Sequence, residues 1–433
     1  MFTKLKLKNF KNFREAEISL GPVSVIIGAN ASGKSNVRDA LRFIHGIARG
    51  YNLAEIIGEK YAEGGYQQWS GIRGGTREVC FRGSQEFTVE LDFESPKDKD
   101  WPYTYAITVN CGETGRAPRV TKESLYVFGI PVFDSHPKSD YIPDQNDHLH
   151  LNVKLPIGEN WRKSGPVISA LANQPVLTQA VELAEHKEAD YKIREAVNET
   201  IQVLESMRFI DFNPDAMRKP SVPGQVVLSD RGENLSSVLQ SICENPALKG
   251  TLSNWIQELT PMDVVDFDFV PDSQGRILVH LIEEGGRRTS ANSASDGTLR
   301  FLGILAALLG PKPAHFYFLE ELDNGIHPAR LTLLMDLLES NSKARGVQIL
   351  ATTHSPQVLR LIRKENLKNA TLAYRLRDAS EGKMKSLSDI PHLLEILQKQ
   401  DLARLHETSW MEHTMQFQEG KPKEIELEPA KDS

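Results

Sequence analysis

The chain has 433 residues, of which 40% are hydrophobic and 25% charged, and its formal net charge is −7. This composition is typical of a globular protein with two or three lobes, and the acidic balance excludes a surface coated with basic residues for nucleic acid, so any DNA contact would need a local basic patch. The three cysteines are widely scattered, without metal or disulfide spacing, which indicates a reducing compartment. The apolar runs suit neither a signal peptide nor a bilayer span, and we expect a cytoplasmic protein with no membrane partner.

The N-terminal segment predicts three strands. Residues 2–10 alternate apolar residues with lysine, which predicts an edge strand, and a second strand is expected at residues 13–20. Residues 23–27 form an apolar, β-branched run that is typical of a buried strand. This third strand leads directly into a glycine-rich loop.

The loop, residues 28–35, matches the pattern G-x-x-x-x-G-K-S/T of a phosphate-binding loop. Apolar residues at helical spacing follow it to about residue 47. Strand, loop and helix are the arrangement that phosphate binding requires, because the loop N–H groups and the helix N-terminus then face phosphate oxygens. Lys34 would reach the β- and γ-phosphates of a nucleotide, and Ser35 would hold Mg²⁺.

The middle of the chain alternates between β and helical patterns. Short alternating runs between about residues 78 and 155 predict strands at 79–81, 87–93, 103–109 and 124–128. Residues 133–148 are rich in Pro, Asp and His and predict a surface loop. A helical section without sustained heptads is expected at 167–207, followed by a strand at 207–210.

The C-terminal half predicts a parallel sheet, because strands and helices alternate there. Helix is expected at residues 234–258 and a strand pair at 264–270 and 275–282. The alternation that follows consists of a helix at 295–309, a strand at 315–319, a helix at 328–340 and a strand at 347–352. The polar tail from 417 onward is expected to be disordered.

Two carboxylates end one of these strands. The apolar residues 316–319 are followed by Glu320 and Glu321. A parallel strand beside the loop strand would bring both carboxylates to the Mg²⁺ edge of a nucleotide site. Glu320 would face the Mg²⁺ shell and Glu321 would polarise the attacking water.

Two further segments point to the same site. His354 follows the strand at 347–352, and a neutral imidazole there could contact the γ-phosphate or the water. Ser295 is suited to cap the helix at 295–309, whose N-terminus could bind a γ-phosphate held by a second subunit.

Together these four stretches resemble the ATP-binding cassette (ABC) ATPases of the SMC and RecF branch. Residues 1–50 and 290–360 carry the resemblance, in the order P-loop, Ser-Asp-Gly signature, carboxylate strand and histidine strand. It implies an α/β fold, namely an ABC-ATPase head (P-loop NTPase) with a mixed β lobe, a parallel-sheet lobe and a helical insertion. The expected parts are the N-terminal half of the head at 1–155, the insertion at 156–213, the C-terminal half at 214–416 and the tail at 417–433.

The resemblance also implies roles for individual residues, with ATP and Mg²⁺ as cofactors. Glu320 takes the Walker B position, Glu321 is the catalytic glutamate and His354 the switch histidine. Ser295 and Gly297 are signature residues acting across a dimer interface, so that ATP is sandwiched between two heads. Ser35 and Glu320 are implied to be ligands of Mg²⁺. The loop residues implied to contact the nucleotide are Asn30, Ala31, Ser32, Gly33, Lys34, Ser35 and Asn36.

Three features depart from the family pattern. Family members usually have aspartate where Glu320 stands, which bears on the hydrolysis rate more than on ATP binding. Asp296 stands where glycine is common, and its charge near an incoming γ-phosphate is unfavourable unless it points away or pairs with Arg300. The Q-loop glutamine is either Gln68 or Gln174.

Five arginines give the β region local positive charge. Solvated strand edges are the interpretation that we favour, and a phosphate track for duplex DNA is the alternative. These residues are Arg73, Arg77, Arg82, Arg116 and Arg119.

Length limits the choice within the branch. No long coiled coil of the SMC type is present, and about 80 residues follow His354, which is small for a nuclease domain. The chain is similar to stand-alone ATPase subunits of bacterial anti-phage systems of the Septu, PARIS and AbiL types. We expect an ATPase that dimerises or forms a higher oligomer on ATP, controls a separate effector and has no nuclease activity of its own. The alternatives are a RecF-type DNA-repair clamp that binds DNA directly, and a sensor that binds ATP but hardly hydrolyses it.

Overall fold

The computed structural model describes residues 1–98, 100–112, 116–137, 150–156, 164–185, 191–259, 262–375 and 381–419. The strands are β1 Phe2–Phe10, β2 Phe13–Ser19, β3 Val23–Ile27, β4 Lys60–Tyr61, β5 Gln67–Trp69, β6 Glu86–Glu94, β7 Pro102–Asn110, β8 Arg119–Val127, β9 Ile130–Pro137, β10 His150–Pro156, β11 Ser164–Leu171, β12 Met207–Ile210, β13 Val264–Pro271, β14 Ile277–Glu283, β15 Arg288–Ser290, β16 Phe316–Leu319, β17 Gln348–Thr353, β18 Ala370–Arg375 and β19 Gly382–Ser386.

The helices are α1 Lys34–Ala48, α2 Leu53–Ile57, α3 Gly75–Glu78, α4 Val176–Glu185, α5 Tyr191–Glu205, α6 Pro214–Met217, α7 Leu235–Cys243, α8 Pro246–Leu259, α9 Asp296–Leu309, α10 Leu331–Arg345, α11 Pro356–Leu361, α12 Leu393–Ile396, α13 Leu402–Glu407 and α14 Trp410–Glu419. Short 3₁₀ turns lie at Pro328–Arg330, Lys364–Asn369 and Leu387–Asp389.

Two large sheets organise the described residues. An antiparallel sheet has the order β11-β10-β9-β8-β7-β6-β1-β2, and a second sheet has the order β12-β16-β17-β3-β18-β19. In the second sheet every neighbouring pair is parallel except β18 and β19. The prediction of an α/β protein with a β lobe and a parallel-sheet lobe is therefore confirmed.

Helix α1 packs its apolar face into the core between the two sheets. Val37, Leu41 and Ile44 on this helix are fully buried. The helix begins after Gly33, whose φ of +113° lies in the region that favours glycine. A Cβ at this position would lie 2.5 Å from the ring of Phe13. The antiparallel sheet thus contacts the phosphate-binding loop directly, through the start of β2.

A buried glutamine joins the two sheets. Gln348, at the start of β17, exchanges hydrogen bonds with the backbone of Phe2 on β1, accepting at 2.8 Å and donating at 2.7 Å. Its amide also donates to the carbonyl of Gly21 at 2.9 Å. Because the side chain is 2% exposed, these bonds replace those that water would supply.

The structure corrects the edge-strand prediction for residues 2–10. Strand β1 pairs with β2 on one side and with β6 on the other, so that Leu5 faces Ile18 and Leu91 in register. Alternation of apolar residues with lysine reports one buried and one solvated face, and an interior strand of an antiparallel sheet shows the same pattern.

Three boundaries in the middle of the chain were also predicted wrongly. Residues 79–81 form only an isolated bridge to β1, after the short helix α3. The predicted loop at 133–148 begins inside β9, and residues 138–149 lie outside the described part. The predicted helical section begins with β11, which pairs with β10, before α4 and α5. The limits of the four predicted parts remain a prediction.

The end of the chain differs in part from the prediction. Helix α14 continues to Glu419, two residues past the expected start of the disordered tail, and residues 420–433 lie outside the described part. Along the described residues, no helix combines the length and the apolar character that a bilayer crossing needs.

Protonation of one buried histidine should destabilise the fold in mild acid. His45 on α1 is 6% exposed, its Nδ1 lies 3.0 Å from the carbonyl oxygen of Leu204, and the rings of Trp69 and Phe209 flank it. Burial lowers the pKa of His45 from 6.5 to about 4. The folded state therefore binds fewer protons than the unfolded chain between these values, and its stability falls as the pH decreases.

Above pH 6.5 the fold should have its full stability with respect to His45. As the pH decreases from 6.5 to about 4, the free energy of unfolding should fall by about 3 kcal/mol. Urea unfolding near neutral pH and near pH 4 measures this loss. His45→Asn, whose amide can still donate to the Leu204 carbonyl and does not titrate, should lose less stability than the wild type over the same interval. An equal loss in both proteins would refute the assignment.

Candidate nucleotide-binding site

A cavity of about 400 Å³ opens at the edge of the parallel sheet where β3, β16 and β17 end. Strand β17 lies between the other two, and because all three are parallel their carboxyl ends reach the same edge. The lining residues are Asn12, Asn30, Ala31, Gly33, Lys34, Ser35, Asn36, Arg73, Glu320, Glu321, Thr352 and Arg375. The structure therefore brings the glycine-rich loop and both carboxylates together, as the parallel-sheet prediction requires.

The side chain of Lys34, the first residue of α1, reaches back to the start of the loop. Its ammonium donates hydrogen bonds to the carbonyl oxygens of Gly28 at 2.5 Å and Ala29 at 2.9 Å. Burial lowers the pKa of Lys34, and the nearby carboxylates of Glu321 and Asp323 counteract this shift. The ammonium is thus a partly desolvated cation, and such a cation binds phosphate oxygens more strongly than one in bulk water.

Ser32 is the one predicted loop residue between positions 30 and 36 that does not line the cavity. Its side chain is 3% exposed, and its hydroxyl has no hydrogen-bond partner among the described residues. Buried hydroxyl groups are usually paired. An unpaired one inside this loop fits a site that accepts a ligand rich in hydrogen-bond acceptors.

The side chains of Ser35 and Glu320 contact each other, although they follow different strands of the parallel sheet. The Ser35 hydroxyl donates to Glu320 Oε1 at 2.7 Å, and Arg38 donates to Glu320 Oε2 at 2.6 Å. Glutamate at this position is therefore long enough to reach the loop serine. A hydroxyl and a carboxylate oxygen are ligands that Mg²⁺ prefers, so this pair fits Mg²⁺ bound together with nucleotide phosphates.

Glu321 has a left-handed backbone, with φ of +49°. Its N–H donates to the hydroxyl of Thr352 on β17 at 3.0 Å, and its carboxylate accepts from Asn324 at 3.2 Å. A non-glycine residue in this conformation costs about 1–3 kcal/mol and persists only where its surroundings impose it. Thr352 supplies that constraint and holds Glu321 at the edge of the cavity.

Four cavity residues were not predicted as site residues, namely Asn12, Arg73, Thr352 and Arg375. Asn12, in the β1–β2 turn, donates to the Ser32 carbonyl at 3.3 Å and accepts from Asn36 at 2.6 Å. Arg73 donates to the Ser35 carbonyl at 2.7 Å and to Asp39 at 3.1 Å. They are distant from the loop in sequence, and so is Arg375, at the end of β18. The repeated Asn-Phe of residues 9–13 was the one available signal, since it marks the turn between β1 and β2.

The predicted signature residues lie at the start of α9 and outside the cavity. Ser295 caps the helix, because its hydroxyl accepts from the Thr298 N–H at 3.1 Å. Asp296 pairs with Arg218 at 2.6 Å, whereas Arg300 was the partner considered from the sequence. The charge of Asp296 is thereby partly neutralised by a residue 78 positions earlier in the chain.

His354 and the Q-loop candidates do not line the cavity either. His354 is exposed beyond the carboxyl end of β17. Gln68 is exposed on β5, and Gln174 precedes α4. The roles of all these residues, like those of Ser295 and Gly297, stay predictions.

Comparison with known proteins gives the family. The family model described as "AAA domain, putative AbiEii toxin, Type IV TA system" matches residues 23–360. The chain belongs to this family. The match spans the glycine-rich loop, the signature, the carboxylate strand and His354, so this member of the AAA/AbiEii family is an ATPase head of the SMC and RecF-like class, as the sequence predicted.

Curated relatives carry related names. An "ATP/GTP phosphatase" of Helicobacter pylori is 21% identical over 387 residues, which cover 84% of this chain and 87% of that protein. The "DNA replication and repair protein RecF" of Chlamydia abortus is 33% identical over 91 residues, which cover 21% of this chain and 19% of that protein.

Among solved structures, the SMC head domain from Thermotoga maritima aligns with a TM-score of 0.41 and 15% identity, covering 89% of this chain and 98% of that one. An Smc head bound to the C-winged helix domain of ScpA aligns with a TM-score of 0.49 and the same identity and coverage.

Gly297 should be intolerant of a side chain. A Cβ at this position would lie 2.5 Å from the carbonyl oxygen of Gly325, in the loop that follows the two carboxylates. Gly297→Ala should force the two segments apart and lower the unfolding free energy by about 1–3 kcal/mol. Urea unfolding measures this, with Gly250→Ala as control, because no atom lies within 4 Å of a Cβ there. Equal stability of the two variants would contradict the packing argument.

Proposed function

We propose that this protein is an ATP-hydrolysing switch whose heads dimerise on ATP and control a separate effector in bacterial anti-phage defence. The observation that carries the proposal is the 2.7 Å hydrogen bond between Ser35 and Glu320, with Glu321 next in the chain at the same cavity. This bond supports the proposal because it links two residues 285 positions apart that would together hold the metal of a nucleotide site.

The glycine-rich loop would bind the phosphates of ATP. Gly33, Lys34 and Ser35 at the start of α1 line the cavity, where their backbone N–H groups would bind phosphate oxygens. The Lys34 ammonium would exchange its two carbonyl partners for β- and γ-phosphate oxygens. Ser35 and Glu320 would hold Mg²⁺, which, when bound, neutralises charge on the β- and γ-phosphates. The loop, Ser35 and Glu320 would therefore bind and orient the phosphates of the nucleotide.

Glu321 would act on the attacking water. Its carboxylate stands beside Glu320 and is oriented by Asn324 and by the strained backbone that Thr352 holds. A base held in place is more effective than a flexible one, because it needs no reorganisation when the water attacks. His354, exposed at the same edge, would contact the γ-phosphate or the water once the site is closed.

A second copy of the chain would complete the site. Ser295 and Gly297 lie outside the cavity of their own head, at an N-terminus that can accept negative charge. The Arg218 partner of Asp296 lowers the repulsion that this carboxylate would exert on a γ-phosphate. Both features support an ATP-sandwiched dimer in which each signature helix serves the other head.

The defence role rests on the family and on the architecture. The matched family is described by a toxin of a type IV toxin–antitoxin system, and the Helicobacter pylori relative is named for phosphatase action on ATP and GTP. The first name supports a role in a toxin–antitoxin system, and the second supports nucleotide hydrolysis.

Two substitutions test the switch. Lys34→Ala should lose ATP binding by at least about tenfold, because a charge-assisted bond to the phosphates is removed. Glu321→Gln should bind ATP normally and lose turnover by about 100-fold or more, and it should accumulate as an ATP-dependent dimer in light scattering. Adding Ser295→Arg to Glu321→Gln is the control, which should abolish the dimer and leave binding by the single head intact. Turnover at the wild-type rate in Glu321→Gln would overturn the assignment of the base.

Direct DNA binding is a second candidate function, supported by a cleft beside the nucleotide cavity. The cleft has a volume of about 1040 Å³. Four of the five arginines considered from the sequence line it, together with two further cations, against the carboxylates of Asp39 and Glu78. The cationic residues are Lys11, Arg73, Arg77, Arg82, Arg116 and Arg375. In a chain with a net charge of −7, this is a local basic patch of the kind that phosphate binding needs.

The salt dependence of DNA binding tests this candidate. A fluorescently labelled duplex should bind the wild type at low salt and dissociate between about 50 and 200 mM. Arg77→Ala with Arg116→Ala should reduce the slope of log K against log salt by about 2, since about 0.9 is lost per phosphate contact. Arg119→Ala, which alters an arginine outside the cleft, should leave the slope unchanged. Absence of binding at low salt would rule this function out.

A further inference from the structure

Arg38 links the metal-facing carboxylate to the loop helix. It lies three positions after Ser35 on α1, so both side chains project from the same face of the helix. Each takes one oxygen of Glu320: Ser35 donates to Oε1 at 2.7 Å and Arg38 to Oε2 at 2.6 Å. The side chains of Arg38 and Glu320 are each 17% exposed.

Because the ion pair between Arg38 and Glu320 is largely buried, its interaction is stronger than that of an ion pair on the surface. Screening by water is reduced, and removal of one partner leaves the other as an uncompensated charge. Arg38 also lies 3.7 Å from Asp211, but that carboxylate is 57% exposed and interacts more weakly. The dominant partner of Arg38 is therefore Glu320.

A glutamate at position 320 depends on a second hydrogen-bond donor, here Arg38, more than an aspartate would. Its additional methylene adds a rotatable bond, and fixing a flexible side chain costs conformational entropy. With only the Ser35 hydroxyl as partner, the carboxylate would sample other rotamers.

We propose that Arg38 is a positioning residue for the metal site: it holds Oε2 of Glu320 so that Oε1 stays at the Ser35 hydroxyl. The inference deepens the proposed function and rests on it. Arg38 does not line the nucleotide cavity, so its effect reaches the metal through Glu320 alone. The opposite effect would be weaker metal binding, since a cation beside Glu320 could instead compete with Mg²⁺ for the carboxylate.

Nucleotide binding as a function of Mg²⁺ distinguishes the two effects without relying on turnover. Binding of a fluorescent ATP analogue is measured in Glu321→Gln protein, which blocks hydrolysis. Adding Arg38→Ala should raise the Mg²⁺ concentration for half-maximal binding by about tenfold and leave binding in EDTA unchanged. Arg38→Lys, which restores the charge with a single point donor, should recover part of the loss and serves if the alanine variant does not fold.

The matched control is Arg42→Ala, one turn further along α1. Arg42 stacks on Trp69, at 4.7 Å from the ring centroid, and has no bond to Glu320. Its removal should lower the melting temperature and leave the Mg²⁺ midpoint unchanged. A midpoint that shifts equally in both variants would assign Arg38 a general structural role and overturn the inference.

A double-mutant cycle completes the test. Aspartate is too short to reach both Ser35 and Arg38, so Glu320→Asp should raise the Mg²⁺ midpoint by about tenfold when Arg38 is present and much less when it is absent. Additive effects, or a lower midpoint in Arg38→Ala, would overturn the proposal.

The Lys34→Ala variant separates this inference from the proposed function. If Lys34→Ala keeps full nucleotide affinity, the proposed function itself fails. If that variant loses affinity and Arg38→Ala keeps the normal midpoint, only this inference fails.

Discussion

The hydrogen bond between Ser35 and Glu320 depends on the register of three parallel strands. Strand β17 separates β3 from β16, and the pairing of Leu319 with Ala351 and of Thr353 with Ile27 brings the ends of all three to one edge. A shift of one residue in the pairing of β16 with β17 would reverse the faces to which the side chains of β16 point, and a shift in the pairing of β17 with β3 would do the same for the strand before the loop. The buried residues of these strands thus determine the chemistry at their ends.

The antiparallel sheet contributes to the site by contact with the loop. Asn12 bonds the loop on both sides, and the Phe13 ring occupies the space that a side chain at Gly33 would need. Arg73 reaches the same helix start from a glycine-rich turn. Two segments distant in sequence therefore contact the loop, and its conformation does not depend on local sequence alone.

The sequence was sufficient where the signal is local and insufficient where it depends on tertiary pairing. The strand at 23–27, the hairpin of β13 and β14 and the Ser295 cap follow from periodicity and cap chemistry, and the structure shows them. The position of β1 inside a sheet, the bond of Asp296 to Arg218 and the approach of Arg73 to Ser35 join residues far apart in the chain. No pattern in a single segment records such pairings, because each partner alone is an ordinary strand or an ordinary charge.

Gln348 has a consequence for how a nucleotide signal could leave the head. Its amide bonds β1 and the Gly21 carbonyl to the first residue of β17, the strand that passes between the two halves of the nucleotide site. Sliding one sheet past the other would break buried hydrogen bonds that water cannot replace. These bonds therefore hold the two sheets in one relative position, so that β1 and β17 would move together and would not slide past each other.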